Sequence, residues 1–258
     1  MPGRWAVFHY AACAELGHDP RLSAARRLPY FFPAAAEERA EFEDLFQHLS
    51  RWILMKDPPE HGRLRKSMNA GFSPSAIERL RPRVFDVVDV LLRDLECMAE
   101  PDLIRDLAYP LPVRVISRIL GVPDSLHARC VSLSNDFSTW LGDPLRTAAS
   151  ARTAQAAVRE LAAIFETIIR ERASSHEDDL LDLMLAIAGQ AGMTPEELHA
   201  QCVLLLGAGH ETTRNLIGNG IYTLLRHPEA LADVRRSDLA VRAAVEEVLR
   251  YESPVQAY

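Results

Sequence analysis

The chain has 258 residues, 48% of them apolar and 25% charged, and carries a net charge of −7 at neutral pH. These are globular proportions with ample core material, and the acidic balance argues against nucleic acid as a partner. No apolar run approaches a membrane span, the first residues lack the apolar core of a secretory leader, and Cys13, Cys97, Cys130 and Cys202 form no C-x-x-C pair, so a soluble protein of the reducing cytoplasm, without a membrane partner, is the expectation.

Alanine and leucine dominate and glycine is sparse, which points to helix. Residues 5–8 (Trp-Ala-Val-Phe) read as a short strand, and 10–17 as a brief helix that Asp19-Pro20 stops. Residues 28–56 show no clear period but hold Tyr30, Phe31, Phe32, Phe42, Phe46 and Trp52. A loop over an apolar pocket produces such a stretch, and so does plain core packing. Residues 75–98 form a long amphipathic helix with Ile77, Leu80, Val84, Val87, Val88, Leu91, Leu92 and Leu95 on its inner stripe. Residues 101–107 read as a turn with a brief strand, 112–120 as an apolar helix ended by Gly121, and 124–137 as an amphipathic helix. A loop at 140–144 separates the last of these from one long helix over 145–172, giving a helical hairpin. A polar break at 174–179, a short helix over 180–188 and a turn at 189–193 lead to the longest element; helices over 228–236 and 239–250 follow it.

That longest element covers 194–226. Thr194 supplies a cap, Pro195 the first helical position and Glu197 the third position of a capping box. Leu198, Cys202, Leu205, Gly209, Leu216 and Gly220 then recur at three- and four-residue steps until Pro228 forces a stop. At 1.5 Å per residue it is roughly 48 Å long. Its middle, 204–213, reads Leu-Leu-Leu-Gly-Ala-Gly-His-Glu-Thr-Thr. Each glycine weakens a helix by about 1 kcal/mol relative to alanine, and an acid and two alcohols follow an almost wholly apolar run. One reading is a buried polar cluster bridging helices. The other is an opening where something flat presses on the small residues while acid and alcohol relay protons. His210-Glu211 resembles half of an H-E-x-x-H zinc site, but the fourth position is Arg214, which ligates no metal.

Two further patterns carry chemistry. Residues 57–66 read Asp-Pro-Pro-Glu-His-Gly-Arg-Leu-Arg-Lys, with Asp57 able to cap a helix that accepts the prolines in its first turn. His61 and Arg65 are four apart and aim two donors at one anion; the alternative is a solvated basic face. Arg63 and Lys66 point elsewhere. Near the far end, Glu247 and Arg250 stand three apart and can pair while leaving a guanidinium edge free; as a mere surface pair they are worth well under about 1 kcal/mol.

Ala208-Gly209-His210-Glu211-Thr212-Thr213, the stretch Asp57 to Arg65, and Glu-x-x-Arg followed by Ser253-Pro254-Val255 together resemble the bacterial cytochromes P450, the haem-thiolate monooxygenases. The resemblance covers essentially the whole chain. It implies a mainly α fold with minor β, incomplete at both the N- and C-terminal ends, with residues 1–258 as one partial domain. Ala208 and Gly209 then lie over the distal face of haem b, and Glu211 and Thr212 are the acid–alcohol pair that delivers protons during dioxygen activation. His61 and Arg65 grip the haem propionates, Glu247 and Arg250 brace the fold, and Leu204 and Val255 face the substrate. The 28–56 region caps the substrate pocket and the 124–172 hairpin forms a moving lid. The family's iron-ligand cysteine sits in a loop F-x-x-G-x-x-x-C-x-G, and none of the four cysteines lies in such a context; the ligand is expected outside this chain. The implied reaction hydroxylates a small, mostly apolar molecule with electrons from a ferredoxin-type donor, for which Arg63 and Lys66 are docking candidates. The competing expectation is a truncated, haem-free binding module or inactive remnant.

Overall fold

The computed structural model describes residues 5–25, 40–143, 147–172, 175, 177, 179–189 and 192–255. Its helices are α1 (Tyr10–Leu16), α2 (Glu43–Ser50), α3 (Glu60–Gly71), α4 (Pro74–Glu96), α5 (Pro110–Ile119), α6 (Asp124–Gly142), α7 (Ala148–Arg172), α8 (Leu180–Ala188), α9 (Pro195–Arg226), α10 (Pro228–Val234) and α11 (Asp238–Tyr251). The expected aromatics Tyr30, Phe31 and Phe32 lie outside the described residues.

Helix α9 is the axis. Thr194 Oγ1 accepts from Glu197 N at 3.2 Å and Glu197 Oε2 accepts from Thr194 N at 3.0 Å, so both halves of the capping box form. The N-terminal half of α9 buries Leu198, Cys202, Val203 and Leu206 in the main core. Helices α5, α6 and α7 pack around it, with α6 and α7 forming the expected hairpin. Phe165 and Leu161 of α7 are fully enclosed, as their spacing requires. Helix α4 starts on the Ser73 cap and buries Leu80, Val87, Leu91 and Leu95, whereas Ile77 and Leu92, expected on the inner stripe, are exposed at its edge.

Two buried amides lace the 41–53 segment to this frame. Gln155 Oε1 accepts from Leu45 N at 3.2 Å while its Nε2 donates to Glu41 O at 3.0 Å. Gln201 Oε1 accepts from Ile53 N at 3.0 Å while its Nε2 donates to Arg51 O at 2.7 Å. Each satisfies backbone groups that no regular element reaches.

The structure departs from the sequence reading in five places. Residues 5–8 form no strand, and no strand occurs among the described residues; Trp5 and Phe8 are 93% and 90% exposed, with no ladder to join. Residues 104–108 make a π-helical turn (Ile104–Ala108) in place of the expected turn and strand, because Asp102 Oδ1 captures Ile104 N at 2.8 Å and Arg105 N at 3.0 Å. Helix α6 runs on to Gly142, through the expected loop, because Trp140 buries against Phe137 with ring centroids 6.2 Å apart. The patternless 28–56 stretch contains α2 and a 3₁₀ turn (Ile53–Met55), with Leu45, His48 and Leu49 inside. Asp57 does not cap α3 with its carboxylate: Oδ1 accepts from Ala24 N at 2.8 Å and Oδ2 from Ser23 Oγ, so α3 opens later, at Glu60.

Candidate functional site

Leu204, Ala208, Glu211 and Thr212 share one stripe of α9 by helical spacing. Leu204 is 6% exposed and belongs to the core, whereas Ala208 and Glu211 are exposed and Thr212 half-buried. The stripe therefore emerges from the protein at Ala208. Leu204 packs against core side chains. Thr212 Oγ1 donates to Ala208 O at 2.9 Å, satisfying the hydroxyl on the carbonyl one turn back.

Gly209 does not belong to this open stripe. A methyl group at its Cα would lie 3.0 Å from Ile116 Cγ1 and 3.1 Å from Ile116 Cδ1 of α5. The missing side chain lets α5 close on α9. The same holds at Gly218, against Ile104 Cδ1 at 3.0 Å, and at Gly220, against Val248 Cγ1 at 3.3 Å.

The bridging polar cluster is also real, but it is built on His210. This ring is 2% exposed. Its Nδ1 lies 3.0 Å from Leu206 O and 3.5 Å from Ser134 Oγ, and its Nε2 lies 3.4 Å from Asn135 Oδ1. Asn135 Nδ2 donates to the Tyr109 hydroxyl at 2.6 Å, and the Arg214 guanidinium covers the Tyr109 ring at 5.5 Å. An Nδ1–H donated to Leu206 O leaves Nε2 as an acceptor; with the Asn135 amide turned to present its NH2 to the ring, the Tyr109 hydroxyl donates to the amide oxygen instead. Helix α6 thus grips α9 through the residue immediately before Glu211. The polar-cluster reading of this string is thus met at His210, while Ala208, Glu211 and Thr212 lie where the helix reaches the surface. Ser134 and Asn135 carried no local signal beyond being polar residues of an amphipathic helix.

On α3, His61 is half-buried and Arg65 exposed, one turn apart. Leu64 and Ser67 anchor the helix beneath them. Neither His61 nor Arg65 makes an ion pair among the described residues. Arg63 is engaged: its Nη1 donates to Glu197 Oε2 and to Gly192 O, both at 3.0 Å, and its Nη2 donates to Glu197 Oε1. Burial works against the Glu197 charge, but the Arg63 hydrogen bond and the Thr194 amide hold its carboxyl below the usual range. The α9 capping box consumes Arg63, so of the two docking candidates only Lys66 stays exposed.

Arg250 Nε donates to Glu247 Oε2 at 2.8 Å and Nη2 to Oε1 at 2.6 Å, a fork between two exposed side chains. The Arg250 hydrogen bond keeps the Glu247 carboxyl below its ordinary value. Val255 is half-buried in a turn that Ser253 Oγ closes on Val255 O at 2.9 Å. Asn219 Nδ2 of α9 donates to Glu252 O at 3.3 Å and ties this segment to the axis.

The cysteines suit packing better than ligation. Cys130 and Cys202 are buried, and burial pushes their thiols up to about 11 and about 12. Cys13 and Cys97 are exposed. Among the described residues no group of three or more His, Cys, Asp or Glu could hold a metal ion, and no helix is long and apolar enough to cross a membrane. A cavity of about 690 Å³ lies between α4, α5 and α6, and one of about 250 Å³ between α9, α10 and α11. Neither is bordered by His61, Arg65, Ala208 or Thr212.

Known proteins match this arrangement closely. The family described as Cytochrome P450 matches residues 32–257. Cytochrome P450 107B1 of Saccharopolyspora erythraea is 38% identical over 256 residues, covering 97% of this chain and 60% of its own length. The cytochrome P450 monooxygenase PikC of Streptomyces venezuelae is 36% identical over 259 residues, covering 98% of this chain and 58% of its own. The crystal structure of P450BioI in complex with hexadec-9Z-enoic acid ligated acyl carrier protein superposes with a TM-score of 0.78 at 29% identity, over 91% of this chain and 62% of that one. The chain thus spans about 60% of the length of the relatives it matches. With sequence, fold and the α3 and α9 motifs in agreement, the chain belongs to the cytochrome P450 family.

Proposed function

We propose that this chain carries the acid-edge and oxygen-face parts of a haem-dependent monooxygenase, which hydroxylates a small, mostly apolar molecule with electrons from a ferredoxin-type donor. The observation that supports this most is the emerging stripe of α9. There an alcohol bonded back to the carbonyl of an exposed alanine stands beside an exposed carboxylate, in a chain of this family.

The residues present fit the edge and one face of haem. His61 and Arg65 offer two donors with no competing acid among the described residues, suited to a pair of carboxylates. Ala208 presents nothing larger than a methyl group at the surface of the stripe. No iron-ligating thiolate is assigned to this chain: Cys130 and Cys202 are packed in the core, and neither Cys13 nor Cys97 lies in a loop of the F-x-x-G-x-x-x-C-x-G type. Haem, when bound, supplies the activation of dioxygen. In this reading His61 and Arg65 orient the group by its acid edge. Thr212 holds its proton on Oγ1 against Ala208 O, and a turn about its Cα–Cβ bond redirects that proton to the open side. Glu211, in contact with water, recharges the alcohol. Glu247 and Arg250 brace the surrounding fold, Val255 meets the substrate, and Lys66 lies on the face offered to an acidic electron donor.

Titration of the chain with haem, followed by absorbance, tests the reading. Replacing both His61 and Arg65 by alanine is expected to weaken binding by about fivefold or more, the loss of two charge-assisted contacts. Thr212→Ala should leave binding unchanged and, in a chain extended to the length of its relatives, divert electrons from product. Equal haem affinity in wild type and the double variant rejects the assignment of the acid edge. The reduced carbon monoxide difference spectrum should show no thiolate-type band, and its appearance would overturn the view that no cysteine here is the ligand. A second reading, a haem-free binding module, draws on the larger cavity, which lies away from the stripe.

A further inference from the structure

The 690 Å³ cavity between α4, α5 and α6 falls in the size range of small-molecule sites. Its floor is apolar: Val87 and Val90 from α4, Val113 from α5, and Ala128 and Val131 from α6. Two guanidiniums, Arg114 and Arg118, enter it from successive turns of α5, four residues apart and therefore on one face. Both are half-buried, and among the described residues neither has a carboxylate within ion-pair distance. A half-buried cation without a counter-ion is unusual, because its desolvation is left uncompensated.

The acids around the cavity do not supply that counter-ion. Asp124 is exposed and faces His127, whose Nε2 lies 3.6 Å from Asp124 Oδ1 and 2.9 Å from Val122 O. Asp86 is exposed on α4, where water screens its charge. The formal charges cancel around the rim, yet the two cations sit deeper than the two acids.

We propose that this cavity is a binding site for an amphipathic anion, a carboxylate or phosphate head on a short aliphatic body. Arg114 and Arg118 grip the head, and the valines of α4, α5 and α6 enclose the chain. The site is separate from the α9 stripe and does not depend on haem. Guanidinium forks match both planar and tetrahedral oxyanions, and a volume of this size accommodates a chain of about ten carbons.

Calorimetric titration of the full 258-residue chain, without haem, with decanoate, decyl phosphate and decanol provides the test. One saturable site is expected for an anion, with the uncharged alcohol at least tenfold weaker; the preferred anion identifies the head. Replacing both Arg114 and Arg118 by glutamine should weaken anion binding by roughly tenfold or more with an unchanged circular dichroism spectrum. Ala128→Trp, which fills the cavity from its exposed side, should abolish binding while leaving the arginines in place. No saturable binding of either anion to the wild type overturns the proposal, as does binding that survives both variants, which would place the ligand elsewhere.

Discussion

Arg172 and Asp179 form an ion pair at 2.8 Å with side chains only 9% and 1% exposed. Asp182 adds a second carboxylate oxygen at 3.1 Å from the same Nη1. Burial works against the guanidinium charge, but the Asp179 hydrogen bond raises its pKa all the same. Gly121 makes the room. Its φ is +69°, and a Cβ there would fall 2.3 Å from Arg172 Nη2. The end of α5, the end of α7 and the start of α8 therefore meet at one clasp. Arg172→Ala strands the acids and is expected to cost about 3 kcal/mol in urea unfolding. Gly121→Ala should cost about 1–3 kcal/mol through backbone strain and displacement of the guanidinium. A midpoint shift below about 0.5 kcal/mol in both would show that the clasp is solvated.

His48 sets a pH dependence. It is 7% exposed, with Nε2 unpartnered among the described residues and its ring edge-on to Trp52 at 6.3 Å. Burial, then the nearby Arg51 and His199 charges, push its pKa down to about 4. The unfolded chain takes up the proton near pH 6.5, so between there and pH 4 the unfolded state binds more protons. Stability therefore falls as pH drops through that window, by up to roughly 3 kcal/mol from this group. His48→Phe keeps the packing and removes the titration. The wild-type-minus-variant difference in unfolding free energy should flatten above pH 7 and steepen below 6. A difference that stays constant from pH 7 to pH 4 would refute it.

Gly209 and Ile116 should be coupled. Alanine at 209 gains about 1 kcal/mol of helix propensity but meets Ile116 at 3.0 Å, an overpacking that costs about 1–3 kcal/mol. Paired with Ile116→Ala, the same change should become favourable. A double-mutant cycle is expected to return a coupling of about 1 kcal/mol or more, and additive effects would show that α5 moves aside freely.

Much of the fold was legible because its code is local. The capping box, the proline stops and the apolar steps of α9 all act within a turn or two, and the residues that state them are adjacent. The His61/Arg65 spacing was readable for the same reason. What escaped were contacts between distant residues of unremarkable type. Nothing near Gln155 or Gln201 announces that their amides hold residues 41–53. Nothing near Gly209 names Ile116 as the reason for the missing side chain. Arg63 looked like a surface cation, and only the fold brings Glu197 to it. The acid–alcohol stripe could be read, but the depth at which it leaves the core, after Leu204, depends on which helices cover its lower half.

Arg63 closes on Glu197 in the first turn of α9, and Thr212 stands fifteen residues further along, roughly 22 Å by helical rise. Helix α3 is therefore clamped to a stiff rod at a set mark. His61 and Arg65 cannot creep toward or away from Thr212 unless that clamp opens or the rod bends. Any change in that separation has to pass through one salt link or through the helical rod between residues 197 and 212.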